Sequence, residues 1–140
     1  MTGAERETFM PELTDAQREV IASTPVVALS TIGPQGTPQT TATWFVLDDD
    51  GLVRISLNGA RQKVRNIQRN PAVSALFVNP QNAFQTVELR GTATVSAEGS
   101  SALVDKVKAK YDTDVSGFDQ PGEQRYVVTI QPEKVLTFGF

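Results

Sequence analysis

The sequence predicts a mostly β domain: a small antiparallel β-barrel with Greek-key elements and two to three helices packed outside it. Two observations carry this. Runs rich in Val, Ile, Thr and aromatic residues recur along the chain, separated by short turns of Gly, Pro, Asn and Asp. Only three stretches show helical spacing instead.

Residues 1–12 are expected to form a loose arm ending near Pro11. "TDAQREVIAS" (14–23) predicts a short helix, with Thr14 as N-cap and Gln17 completing a capping box; Pro25 stops it. "VVALSTI" (26–32) is a buried strand, "GPQG" a turn, and "TPQTTATWFVLD" (37–48) one long strand. "DDDG" turns the chain into a third strand, "LVRISL" (52–57), giving an antiparallel meander. In "RQKVRNIQRN" (61–70), Val64 and Ile67 form a narrow apolar stripe on a polar helix that ends at Asn70-Pro71. A strand at 72–78, the loop "NPQNA", and a long strand at 84–97, bent near Gly91, come next. "SSALVDKVKAKY" (100–111) is a helix with Leu103, Val104, Val107 and Tyr111 on one face. After the polar loop "DTDVSGFDQPGEQ", two last strands (125–131 and 134–140) flank a break at Pro132. The count is six or seven strands and three helices.

The chain has 140 residues, the length of one domain, and no apolar run long enough for a transmembrane helix. Its start is charged and lacks a signal-peptide core, which argues for a cytoplasmic protein. There are no cysteines and no histidines. That excludes disulfides, thiolate or imidazole metal sites, Cys nucleophiles and His-based catalysis. Such a chain either binds passively or takes its chemistry from a cofactor.

Charge is unevenly placed. The net charge is -3, yet from Gly51 to Val87 there are five bases and no acid. Four of the bases, Arg61, Lys63, Arg65 and Arg69, lie in "ARQKVRNIQRNP". No acids alternate with them, so i,i+4 ion pairs do not account for them. Arg61, Arg65 and Arg69 share a helix face, with Lys63 on the other flank of the Val64/Ile67 stripe. Arg61 and Lys63 belong to a first turn preceded by Ala60, a poor cap, so its backbone donors are open to an anion. A forked guanidinium and a point charge there suit a phosphate. The rest of the surface is acidic, which disfavours nucleic acid and favours a small anionic ligand. Without a ligand the same run is a solvated basic face, "TTATW" an ordinary strand, Trp44 a core or interface residue, and Glu88 with Arg90 a surface pair.

The segment "GTPQTTATWFVLDDDGLVRISLNGARQKVRNIQRNPAVSALFVNPQNAFQTVELRG" resembles the split-barrel flavin and deazaflavin oxidoreductases, the pyridoxamine-phosphate-oxidase-like superfamily. The likeness runs from about Thr14 to the C-terminus, and "R-x-K-x-R-N-x-x-R-N-P" followed by "VELRG" looks most like the F420-dependent branch. It implies a homodimer of six-stranded split barrels with two cofactors in grooves at the subunit interface. It implies coenzyme F420, or alternatively FMN, with its phosphate on Arg61 and Lys63 near Val64. The ring would lie along Gln39, Thr40, Thr41 and Ala42, with Ile55 and Ser56 adding contacts and Phe84 and Gln85 reaching in from the partner chain. The acidic tail of F420 could draw on Arg65, Arg69 or Arg54. Pyridoxamine-phosphate oxidases carry a C-terminal Arg and His that this chain, ending "LTFGF", lacks. The missing histidine also disfavours the haem-degrading relatives. The expected activity is a reductase delivering a hydride from reduced F420 to an unsaturated small organic acceptor, with no catalytic residue identified. A non-catalytic cofactor carrier and a structural dimer that docks a protein on the basic helix are the other classes.

Overall fold

A computed structural model describes residues 11–140, so the expected arm at 1–12 falls almost wholly outside the described residues. Seven strands form one antiparallel sheet, with three α-helices among the described residues. The helices are α1 (Asp15–Ser23), α2 (Gln62–Arg69) and α3 (Ser100–Tyr111). The strands are β1 (Val27–Ile32), β2 (Pro38–Thr43), β3 (Val46–Leu47), β4 (Val53–Asn58), β5 (Ala72–Val78), β6 (Thr86–Ser96) and β7 (Arg125–Phe138). No helix among the described residues is long and apolar enough to cross a membrane.

The sheet order is β2-β1-β5-β6-β7-β4-β3. Its two edge strands, β2 and β3, are separated in sequence only by Trp44 and Phe45. The sheet must therefore curl round until its edges meet at those two residues. The expected single strand 37–48 is thus divided. Its first half pairs with β1 and its second half with β4. One straight strand could not serve both edges of a curled sheet, and the bend at Trp44-Phe45 also turns Phe45 fully into the core.

Helix α3 staples this seam. The Tyr111 phenol accepts from Phe45 N at 3.2 Å and lies 2.9 Å from Pro25 O, to which it donates. Lys110 Nζ donates to Phe45 O at 2.9 Å and sits 3.7 Å from the centre of the Phe45 ring. Burial pushes the Lys110 ammonium down to about 8. Between that pH and the ordinary lysine value the unfolded chain holds the extra proton, so folding grows more favourable as pH rises. Unfolding titrations should therefore show stability climbing above pH about 8. Lys110→Met should flatten that climb; an unchanged slope in the variant would contradict the assignment.

The other expected elements need smaller corrections. The Thr14/Gln17 capping box is present, with Thr14 Oγ1 accepting from Gln17 N and Gln17 Oε1 from Thr14 N. The long strand begins at Thr86, not at residue 84, because 79–85 closes a turn in which Asn79 N donates to Gln85 O. The last two strands are one. Pro132 pairs opposite Gly91 at a register shift, and beyond it Arg90 pairs with Lys134. A bulge absorbs the missing proline donor without ending the ladder. Gly91 is required there, since a Cβ would lie 2.1 Å from Gln131 O.

The main core lies inside the curl. Inward positions of β1, β4, β5 and β6, with Phe45 and Phe77 edge to face, meet Val64 and Ile67 of α2. A smaller cluster of Leu103, Val107, Val115 and Val127 fixes α3.

Candidate cofactor groove

A groove of about 750 Å³ opens beside the seam. Its floor is the C-terminal end of β4, and one wall is Thr41–Trp44. Its basic end is the start of α2, and its far wall is the chain around a short 3₁₀ turn, Val115–Phe118. Of the residues singled out in the sequence, Thr41, Ala42, Ser56, Arg61 and Lys63 line it.

The basic end is built as the charge pattern suggested, one residue later. The helix starts at Gln62, Arg61 is its N-cap, and the Arg61 side chain makes no capping hydrogen bond to the first turn. An uncapped first turn presents unpaired N–H groups and the positive end of the dipole. Arg61 is exposed and belongs to none of the ion pairs among the described residues. Lys63 is half-buried and donates from Nζ to Thr41 Oγ1 at 2.9 Å. Burial, then repulsion from Arg61, pushes the Lys63 ammonium below the ordinary lysine value. Two cations held side by side, with no carboxylate paired to either among the described residues, are a site that an anion relieves.

Other expected contacts stand differently. Gln39 lies on the α2 side of β2 but accepts from Asn66 Nδ2 at 2.8 Å. Thr40 faces the opposite way, 2.6 Å from Ser30 Oγ. Ile55 and Val64 are core side chains, so only their backbone could reach a ligand. Phe84 and Gln85 do not line the groove of their own chain. Arg54 is not available for an acidic tail, because it donates to Asp48 and Asp50, both at 2.8 Å. Asp48 also pairs with Lys106, tying the β3–β4 hairpin to α3. Arg65 reaches back to Ala60 O and Arg69 to Ile32 O, both from the exposed side of α2. The expected Glu88–Arg90 pair is present at 2.8 Å.

Three groups that hold the groove were not evident in the sequence. Asn66 is fully buried and makes four hydrogen bonds. It donates to Thr31 Oγ1 and Gln39 Oε1 and accepts from Gln62 Nε2 and Arg69. That network locks α2 against β1 and β2. Asn58 donates to Asp119 and Glu123 and accepts from Ala60 N, so it joins the far wall to the residue before Arg61. Arg125 binds Asp119 at 2.7 Å, Val115 O at 3.0 Å and Ser56 Oγ at 3.2 Å. Its hydrogen bonds hold the Asp119 carboxyl below the usual range. A signal for Arg125 did exist: the loop before it carries four acids, Asp112, Asp114, Asp119 and Glu123, and no base. Nothing in the sequence distinguished Asn66 from an exposed helical asparagine.

Comparison with known proteins narrows what the groove belongs to. A solved structure described as F420 Reductase is 27% identical, with a TM-score of 0.74, covering 89% of this chain and 98% of its own. The conserved hypothetical protein Rv2991 from Mycobacterium tuberculosis is 25% identical at a TM-score of 0.75, covering 94% of this chain and 89% of its own. HutZ, the heme storage protein from Vibrio cholerae, shares the fold at 18% identity, covering 93% of this chain and 97% of its own, with a TM-score of 0.72. No functionally curated protein matches the sequence. The family model for pyridoxamine 5'-phosphate oxidase matches residues 13–139, from the first helix through the last strand. A match over nearly the whole described chain, on this sheet, makes the protein a member of the pyridoxamine 5'-phosphate oxidase family.

Proposed function

We propose that the protein binds coenzyme F420 in this groove and acts as an oxidoreductase, using the reduced deazaflavin to reduce an unsaturated small organic acceptor. The observation that carries the reading is the pair Arg61 and Lys63 at an uncapped helix start, paired with no carboxylate among the described residues and opening onto the groove. The donor set fits a phosphate: one guanidinium fork, one ammonium and first-turn backbone N–H groups. Once bound, the deazaflavin would supply the hydride chemistry that a chain without His or Cys cannot.

The chain's own part is positioning. Thr41, Ala42 and Thr43 lie on an edge strand, so one side of β2 has backbone groups with no neighbouring strand among the described residues to pair them. That edge suits the polar rim of a flat heteroaromatic ring. Lys63, bonded to Thr41, sets the distance between the anion end and the ring end. Ser56 is oriented by Arg125 on the floor. FMN carries a phosphate and a flat ring too and is the alternative cofactor. F420 is preferred for its acidic tail, which Arg65 and Arg69 could meet on the exposed side of α2, and for the likeness to an F420 reductase.

We also propose that the active form is a cytoplasmic homodimer. Leu76, Val78, Phe84, Phe138 and Phe140 are all exposed. Val78 pairs with Thr86, which pairs with Phe138, so these side chains sit close together on one end of the sheet. A monomer gains nothing by wetting such a patch. Pairing through it would let Phe84 and Gln85, which miss their own groove, serve the partner's.

Titration with F420 and with FMN, alongside a solution mass measurement, tests the reading. F420 should bind tighter than about 100 μM, or roughly -5.5 kcal/mol, and tighter than FMN. The mass should be twice 15.2 kDa. Reduced F420 should then be oxidised in a screen of enones and quinones. Failure of both cofactors to bind ends the proposal. Binding with no turnover on any acceptor makes the protein a carrier.

A further inference from the structure

The groove has a second end. Beyond the cations, Trp44 and Phe118 both line it, with Val26 and Val115. Trp44 stacks on Tyr111, with ring centres 4.3 Å apart and planes 4° from parallel. One indole face is therefore covered, and 36% of the residue stays open. Phe118 is 68% exposed, although it stands on a braced turn and not a loose loop. Asp114 accepts from Ser116 N, Asp119 N donates to Ser116 O, and Arg125 holds both Val115 O and Asp119. A single exposed phenylalanine is ordinary. An exposed ring on a backbone held by a partly buried ion pair, across a groove from a stacked tryptophan, is a preorganised contact surface.

The charges around the groove sort the ligand. Arg61 and Lys63 mark one end, while Asp119 and Glu123 border the Phe118 side. Arg125 neutralises Asp119, but Glu123 meets only Asn58 and Gln120 N among the described residues. Glu123 thus leaves the Phe118 wall with one carboxylate that no cation among the described residues pairs, which favours an uncharged ring there over an anionic one. We propose that Trp44 and Phe118 form a second subsite that takes a flat, uncharged aromatic ring, and that Phe118 is the specificity-determining side chain for the acceptor. This rests on reading the groove as a redox-cofactor site, but the subsite itself can be tested without any cofactor.

Trp44 is the only tryptophan, so its indole N–H gives one assignable signal in a ¹⁵N-labelled spectrum. Coumarin is the probe, a flat uncharged bicycle; coumarin-3-carboxylate is the same bicycle made anionic. Coumarin should shift the Trp44 signal saturably, and in a variant with Arg61 and Lys63 both replaced by alanine, where no cation pair draws the anion, the carboxylate should bind more weakly than coumarin. Phe118→Ala should raise the coumarin Kd about tenfold, equal to about 1.4 kcal/mol, as expected for losing an aromatic partner. Phe118→Tyr should keep the affinity. Lys134→Ala, which removes an exposed cation outside the groove, should leave it within about twofold. No saturable shift, equal binding of the carboxylate in the double-alanine variant, or an unchanged Kd in Phe118→Ala would each overturn the subsite. Should coumarin behave as expected while F420 and FMN do not bind, the aromatic subsite stands and the deazaflavin reading falls.

Discussion

Joint replacement of Arg61 and Lys63 by alanine is expected to weaken F420 binding by two orders of magnitude or more. Each charge-assisted hydrogen bond lost is worth about 1.5–3 kcal/mol, so the pair removes roughly 3–6 kcal/mol. Residual binding would come from the ring and from the helix start, whose N–H groups survive the substitution. Folding should be almost unaffected. Arg61 is exposed and unpaired among the described residues, and the Lys63 ammonium is already disfavoured by burial and by its neighbour. The thermal midpoint should therefore stay put while affinity collapses. FMN should lose a similar factor, because it presents a phosphate to the same two side chains. Wild-type affinity should fall with added salt, and the variant's should fall less. If the double variant binds F420 within about threefold of wild type, the phosphate does not sit there, whatever the fold.

The second large effect is on stability. Asn66→Leu should destabilise the fold by about 3 kcal/mol, lowering Tm by roughly 10 °C. The substitution removes four hydrogen bonds at a fully buried position and strands the Thr31 hydroxyl, itself buried, without its donor. Asn66→Asp should also destabilise, because a carboxylate cannot donate to Thr31 and Gln39. Cofactor affinity should drop in both variants, since α2 carries the cations and Asn66 sets where α2 lies. A loss below about 1 kcal/mol would mean that Val64 and Ile67 alone hold the helix.

Much of the fold is legible along the chain because its determinants are local. Alternating burial in "VALSTI" and "VRISLN" follows from strand geometry and side-chain type. Thr14 and Gln17 are close enough in sequence to define their own helix start. The cation cluster is legible for the same reason: an acid-free run needs no partner to be noticed, and it falls where a helix begins. The bend at Trp44-Phe45 and the bulge at Gly91-Pro132 are different. Each depends on which strand lies alongside, and a β-rich run looks the same whether it pairs with one neighbour or two.

The groove shows the same division. Sequence alone settled which chemistry the side chains lack, since a chain without Cys or His must take any redox chemistry from elsewhere, and its unopposed basic run marked where to look for an anion. It also placed the helix start to within one residue and settled which face the helix buries, because both follow from neighbours three or four residues away. Folding decided which cations remain free. Arg54 is consumed within its own hairpin by Asp48 and Asp50, while Arg61 and Lys63 meet no carboxylate among the described residues. Asn66, Asn58 and Arg125 gained their roles in the same way, through partners 27 to 69 residues distant. A hydrogen bond acts over about 3 Å of space whatever the separation along the chain, so such pairings exist only once the sheet has curled and closed.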